Sequence, residues 1–128
     1  NMTRQFYDWP ALRELYHQAA IVIVPLFPNP YCAGLTAFLE AAACGKATIL
    51  TTTPGLAPLL APDTCHTVPA QSPAALRTAI QSLLDAPARA AQLAAAGHAW
   101  LQAEHTPERF LDALLPSLQE PPTTGRSS

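Results

Sequence analysis

The sequence predicts an α/β protein: a short parallel β-sheet followed by C-terminal helices. Three observations carry this expectation. Strand-like and helix-like segments alternate along the first half of the chain, the order of a parallel sheet with helical crossovers. The run Ala20-Ile21-Val22-Ile23-Val24 is apolar without alternation and rich in β-branched residues, as in a strand buried on both faces. Gly and Pro punctuate each transition, and the apolar residues after Ser72 recur at helical rather than strand spacing.

The elements follow in order. Trp9-Pro10 opens a helix whose face carries Leu12, Leu15, Tyr16 and Ala19, with Asp8 and Pro10 suited to its start. The strand Ala20 to Val24 comes next, and Pro25, Pro28 and Pro30 then hold an extended loop. Gly34 to Cys44 turns helical again through Leu35, Phe38, Leu39 and Ala42, and Gly45 is a natural stop. Thr48 to Thr51 reads as a second buried strand closed by Pro54-Gly55, and Cys65 to Val68 as a third. Ser72-Pro73 starts a helix with Leu76, Ile80, Leu83 and Leu84 along one stripe. Ala88 to Glu104 forms another, and Thr106-Pro107 starts a last one with Phe110, Leu111, Leu114 and Leu115. These stripes are expected to be core. Residues 120–128 contain no apolar side chain and are expected to be disordered.

Composition narrows the function. The chain has 128 residues, 49% of them hydrophobic and 12% charged, with a net charge of −2. That is one domain or part of one. No basic excess exists to neutralise a phosphate backbone, which argues against nucleic-acid binding. Cys32, Cys44 and Cys65 form no C-x-x-C pair, so a zinc ribbon or disulfide framework is not supported, and a reducing cytoplasm is the expected location. The longest apolar run, Ala19 to Leu26, contains Pro25 and is too short to span a bilayer. The first residue is Asn1, and a segment of a longer protein is expected.

Ligand sites in open α/β sheets lie beyond the carboxyl ends of the strands. Here the richer loop runs from Pro25 to Thr36 and leads directly into a helix. Free amides at a helix start, backed by the helix dipole, attract anions, and Gly34 would let a ligand approach the backbone. Thr36 and Glu40 are four apart and share a helix face. Glu40 stands among Ala37, Phe38, Leu39, Ala41, Ala42 and Ala43, where a carboxylate needs a partner. Two ribose hydroxyls would serve, so a diphosphate at the helix start and a ribose farther along would fit a nucleotide. The plainer alternative is a helix start with one exposed acid, and the residues alone leave both readings open. His17, His66, His98 and His105 complete no metal or catalytic set and read as surface or packing residues, whereas Trp9 and Trp100 read as packing residues. Cys44 reads as a small hydrophobe.

Leu15-Tyr16 with Ala19 and the run to Pro25, then Ala33-Gly34-Leu35-Thr36, Leu39-Glu40-Ala41, Gly45-Lys46 and Thr53-Pro54-Gly55-Leu56 occur in a telling order. From about Trp9 to His105 this resembles the donor-binding lobe of retaining glycosyltransferases of the GT-B fold, family four. The resemblance implies a partial Rossmann-like domain over residues 1–119, the C-terminal half of such a lobe, in strand order 3-2-1-4-5-6. It implies a nucleotide-sugar donor, no cofactor and no metal. Backbone amides around Gly34, Leu35 and Thr36 would hold the diphosphate and stabilise charge as the sugar–phosphate bond breaks, and Glu40 would bind the ribose. The family's first glutamate, eight residues before the second, is Cys32 here, and Asn29 or main-chain groups would take over its contacts. The family's Arg and Lys that neutralise the diphosphate belong to a first strand–helix unit outside this chain, as does the acceptor lobe, the expected partner and the route to any peripheral membrane contact. Arg13 and Lys46 do not replace that pair by position. No catalytic residue is therefore assigned, and the chain alone is expected to be inactive. Thr3 to Tyr7 would match a strand whose neighbours are missing, and is expected to pair non-natively or not at all, leaving a bare edge on Ile21 to Val24. A non-catalytic remnant serving as an interaction module is the alternative. A dinucleotide-binding oxidoreductase lacks its G-x-G-x-x-G.

Overall fold

The structure, a computed structural model, describes residues 6–119. Its elements are α1 (Trp9–Gln18), β1 (Val22–Val24), α2 (Leu35–Ala43), β2 (Thr48–Thr52), a 3₁₀ turn (Ala57–Leu59), β3 (His66–Pro69), α3 (Pro73–Asp85), α4 (Pro87–Glu104) and α5 (Pro107–Gln119). The three strands form one parallel sheet in the order β1-β2-β3. Ile49 lies beside Ile23 on one side and His66 on the other. The protein is thus α/β, with the part-sheet and trailing helices expected of it.

Local chemistry sets the helix ends. Asp8 accepts the Ala11 N–H at 2.9 Å and caps α1. Ser72 caps α3 through the Ala75 N–H, with Pro73 in the first turn. Gly45 ends α2 with φ 64°, a left-handed stop. Lys46 Nζ donates to the His17 carbonyl at 2.8 Å and so satisfies the C-terminus of α1.

β2 is the centre of the core. Thr48, Ile49, Leu50 and Thr51 are all buried. One face of the sheet gathers Ile49, Val68, Ala79, Leu83 and Leu93, and the other Val24, Phe38, Ala42, Leu50 and Leu56. Each fully buried aliphatic or aromatic side chain contributes about 1.5–3 kcal/mol. α4 serves both faces: Leu93 joins the first cluster, and Trp100 packs against the second, stacking on Phe38 at 5.5 Å. It comes close because Gly97 passes the Thr64 carbonyl, where a Cβ would sit only 2.8 Å from the oxygen.

Three expectations need correction. β1 is not buried on both faces: Ile23 is 38% exposed and α1 buries no residue. A parallel strand is enclosed only when a neighbour flanks each edge and helices cover each face, and β1 pairs with β2 alone among the described residues. The apolar stripes of α3 and α4 are core through Ala79, Leu83 and Leu93, but that of α5 is not: Phe110, Leu111, Leu114 and Leu115 are exposed. Trp9 is 76% exposed rather than packed. Phe6 and Tyr7 belong to no strand; the rest of the Thr3 to Tyr7 segment and the tail at 120–128 lie outside the described residues.

Candidate functional site

The site is built from the loops beyond β1 and β2. Between Pro25 and Gly34 the chain is held at several points. The Leu26 N–H donates to Thr51 Oγ1 at 3.1 Å, tying the loop to β2. Asn29 Nδ2 donates to the Phe27 carbonyl at 2.8 Å, and its Oδ1 accepts the Tyr31 N–H at 3.0 Å. Gly55 lies so close to the carbonyls of Pro30 and Tyr31 that a Cβ would collide with the backbone. The second loop therefore braces the first.

The braced loop ends at Gly34, which enters α2 with φ +85°. Its Cα faces inward: a Cβ there would lie 2.9 Å from Leu26 Cδ1 and 2.9 Å from Val24 Cγ1. Glycine is thus required by backbone conformation and by the protein's own packing. The expected close approach of a ligand at Gly34 is corrected on that side, because the chain's own side chains occupy the space. The tip itself stays open. The Leu35 N–H is satisfied by the Cys32 carbonyl at 3.2 Å. The Thr36 and Ala37 N–H groups have no hydrogen-bond partner among the described residues, and Thr36 is exposed. Such amides carry the positive end of the helix dipole, about half an elementary charge.

Farther down α2, Phe38, Ala41 and Ala42 point into the core, which turns Thr36 and Glu40 outward. Their Cα atoms are separated by about 6 Å along the axis. Glu40 is half-buried against α1, and its Oε2 accepts the Tyr16 hydroxyl at 2.8 Å. Beside this pair lies a cavity of about 140 Å³ lined by Trp9, Leu12, Arg13, Tyr16 and Glu40. Burial first, then the hydrogen bond and negative charge of Glu40, with a lesser contribution from Cys44, push the Tyr16 phenol up to about 12. It is a neutral donor at ordinary pH.

The structure thus gathers Cys32, Gly34, Leu35 and Thr36 at the tip and sets Glu40 on the same helix below them. Asn29 holds the loop in shape with one amide N–H and its carbonyl oxygen, which leaves a second N–H and a second lone pair. The Cys32 thiol is exposed. Lys46 is committed to the His17 carbonyl, at the opposite end of α2 from the tip, as its sequence position implied; Arg13 lies nearer Glu40 than expected, on the wall of its cavity. Tyr16 is the residue that sequence reasoning missed: it stands on an apolar helix face and in the run that carries the resemblance, and neither assigns its hydroxyl a partner. A larger cavity of about 400 Å³ opens on the other face, lined by Pro25, Phe27, Thr51, Val68 and Leu76 among others; it offers no charged group to an anion. Among the described residues no cluster of three or more His, Cys, Asp or Glu could hold a metal ion, and no helix is long and apolar enough to cross a membrane.

Residues 6–116 match a family described as glycosyl transferase-like. Among solved structures, the chain is similar to sucrose-phosphate synthase from Thermosynechococcus elongatus, with 34% sequence identity and a TM-score of 0.68 over 81% of this chain. The matched part makes up 26% of that synthase chain. Nothing matches among the curated proteins.

Proposed function

Because the chain belongs to the glycosyl transferase-like family, we propose that it holds the diphosphate and ribose of a nucleotide-sugar donor for retaining glycosyl transfer. One observation carries the reading. The free Thr36 and Ala37 amides and the Glu40 carboxylate lie on a single helix, at a spacing that suits a diphosphate and the ribose attached to it. Hydrogen bonds from such amides to a charged oxygen contribute about 1.5–3 kcal/mol each. They strengthen as negative charge collects on the leaving diphosphate, so they favour the transition state over the bound donor. Glu40 keeps Oε1 open for a ribose hydroxyl while Tyr16 occupies Oε2.

The rest of the activity lies with the acceptor lobe, which positions the acceptor and contributes the remaining groups. By itself this chain binds donor and transfers nothing. Cys32 replaces the first of two acids, so sugar hydroxyls meet main-chain groups of the loop. No metal takes part.

Titration calorimetry with UDP, GDP and ADP, in the presence of a chelator, tests the reading. One of the three should bind, and Glu40→Ala should weaken that nucleotide about tenfold or more while leaving inorganic pyrophosphate unaffected. If none of the three binds, the donor-site reading is wrong and the remnant reading takes its place.

A further inference from the structure

We infer that Tyr16 is a positioning residue for nucleotide binding: its hydroxyl fixes the Glu40 carboxylate so that the free oxygen faces a ribose. The inference rests on the donor-site reading and adds a second element to it, since Tyr16 belongs to α1 and Glu40 to α2. A glutamate on a helix has three rotatable bonds, and in water its carboxylate samples many orientations. Here one oxygen is held at 2.8 Å by a donor from a different helix, beside a cavity walled by Trp9 and Leu12 of that same helix. A carboxylate oxygen held by a neutral phenol keeps its full charge, so Glu40 remains an acceptor toward a second donor. The raised Tyr16 phenol agrees with this, because a proton retained well above neutral pH keeps the contact in place under all ordinary conditions. The bond does not compete with a ribose. It occupies Oε2, and no partner among the described residues occupies Oε1.

Pre-organising an acceptor raises affinity only for the ligand group that uses it. The signature is therefore selectivity rather than overall affinity. The ratio of dissociation constants for a 2′,3′-dideoxynucleoside diphosphate and its ribose counterpart is measured for the full chain and for Tyr16→Phe, Glu40→Gln and the double variant, with inorganic pyrophosphate as a third probe. Tyr16→Phe keeps the ring that packs on α2, and its melting temperature controls for folding. It should cut ribose selectivity about fivefold, leave pyrophosphate binding unchanged, and have no further effect in the Glu40→Gln background. If Glu40→Gln abolishes selectivity but Tyr16→Phe does not alter it, the positioning role is wrong and the donor-site reading stands. If Tyr16→Phe weakens pyrophosphate equally, Tyr16 acts on the fold rather than on Glu40, and the inference is again overturned. If Glu40→Gln leaves selectivity intact, the ribose assignment fails and the inference with it.

Discussion

Replacing Gly34 by alanine probes the junction on which the site depends, and the structure separates two costs. The first is conformational. Gly34 has φ +85°, and a residue with a Cβ in that region is strained by about 1–2 kcal/mol. The second is steric. The new Cβ would lie 2.9 Å from both Leu26 Cδ1 and Val24 Cγ1, against about 3.5–4.0 Å for an unstrained carbon contact. Leu26 is half-buried and can turn its tip aside, but Val24 is a stiff β-branched residue only 8% exposed in β1. Overpacking of that kind costs about 1–3 kcal/mol. Against these stands a gain of about 0.4–1 kcal/mol from the stiffer unfolded chain. The net loss is about 2–4 kcal/mol, a large share of the ~5–15 kcal/mol that holds a domain together. Gly45→Ala supplies the comparison. Gly45 has φ +64°, yet a Cβ there meets nothing within 4 Å among the described residues, so only the conformational cost applies and the net loss is about 1 kcal/mol or less. Urea denaturation of the two variants and the parent measures both. With a slope of about 1–3 kcal/mol per molar urea, the Gly34→Ala midpoint should fall by roughly 1–2 M and clearly below that of Gly45→Ala. Two variants equal within about 0.5 kcal/mol would refute the claim that Val24 and Leu26 fill the space at Gly34.

Thr53 Oγ1 is buried without a hydrogen-bond partner among the described residues, so Thr53→Val should be neutral or stabilising by up to about 1 kcal/mol, as read from thermal melting. Tyr16 gives a pH signature. Its phenol titrates near 10 in the unfolded chain but is pushed up to about 12 in the fold, so stability is intact below pH 10 and lost as pH rises toward 12, where the unfolded chain releases its proton first. Tyr16→Phe should flatten the stability profile over that interval. Burial pushes the Cys65 thiol up to about 11, against a weaker opposing effect of Thr64. Iodoacetamide at pH 8.5 should therefore modify the exposed Cys32 in the native protein and reach Cys65 only after unfolding, which peptide mass mapping distinguishes.

Much of this protein was legible in its sequence because the signals are short-range. Asp8, Ser72-Pro73 and Gly45 each set a helix boundary through a bond or a backbone angle within a few residues. The β-branched runs and the alternation of elements were enough to expect a parallel sheet with helical crossovers, and the three strands do form one; their order beside one another was implied only by the family resemblance. The helix-start geometry at Gly34, with Thr36 and Glu40 on a shared face, follows from a spacing of four and a helical repeat.

What the sequence could not supply depends on which surfaces meet. The Tyr16–Glu40 hydrogen bond joins residues 24 positions apart, and no local rule relates them; it exists because the fold brings α1 against the outer side of α2. The same holds for Gly55 against Pro30 and Tyr31; the Asn29 bonds, by contrast, reach only two residues to either side and are local turn chemistry. α5 carries as clear an apolar stripe as α3, yet one is exposed and the other forms core. Periodicity fixes which side of a helix is apolar, since that is a property of 3.6 residues per turn. Whether another element covers that side is a matter of long-range packing, and only the tertiary structure decided it.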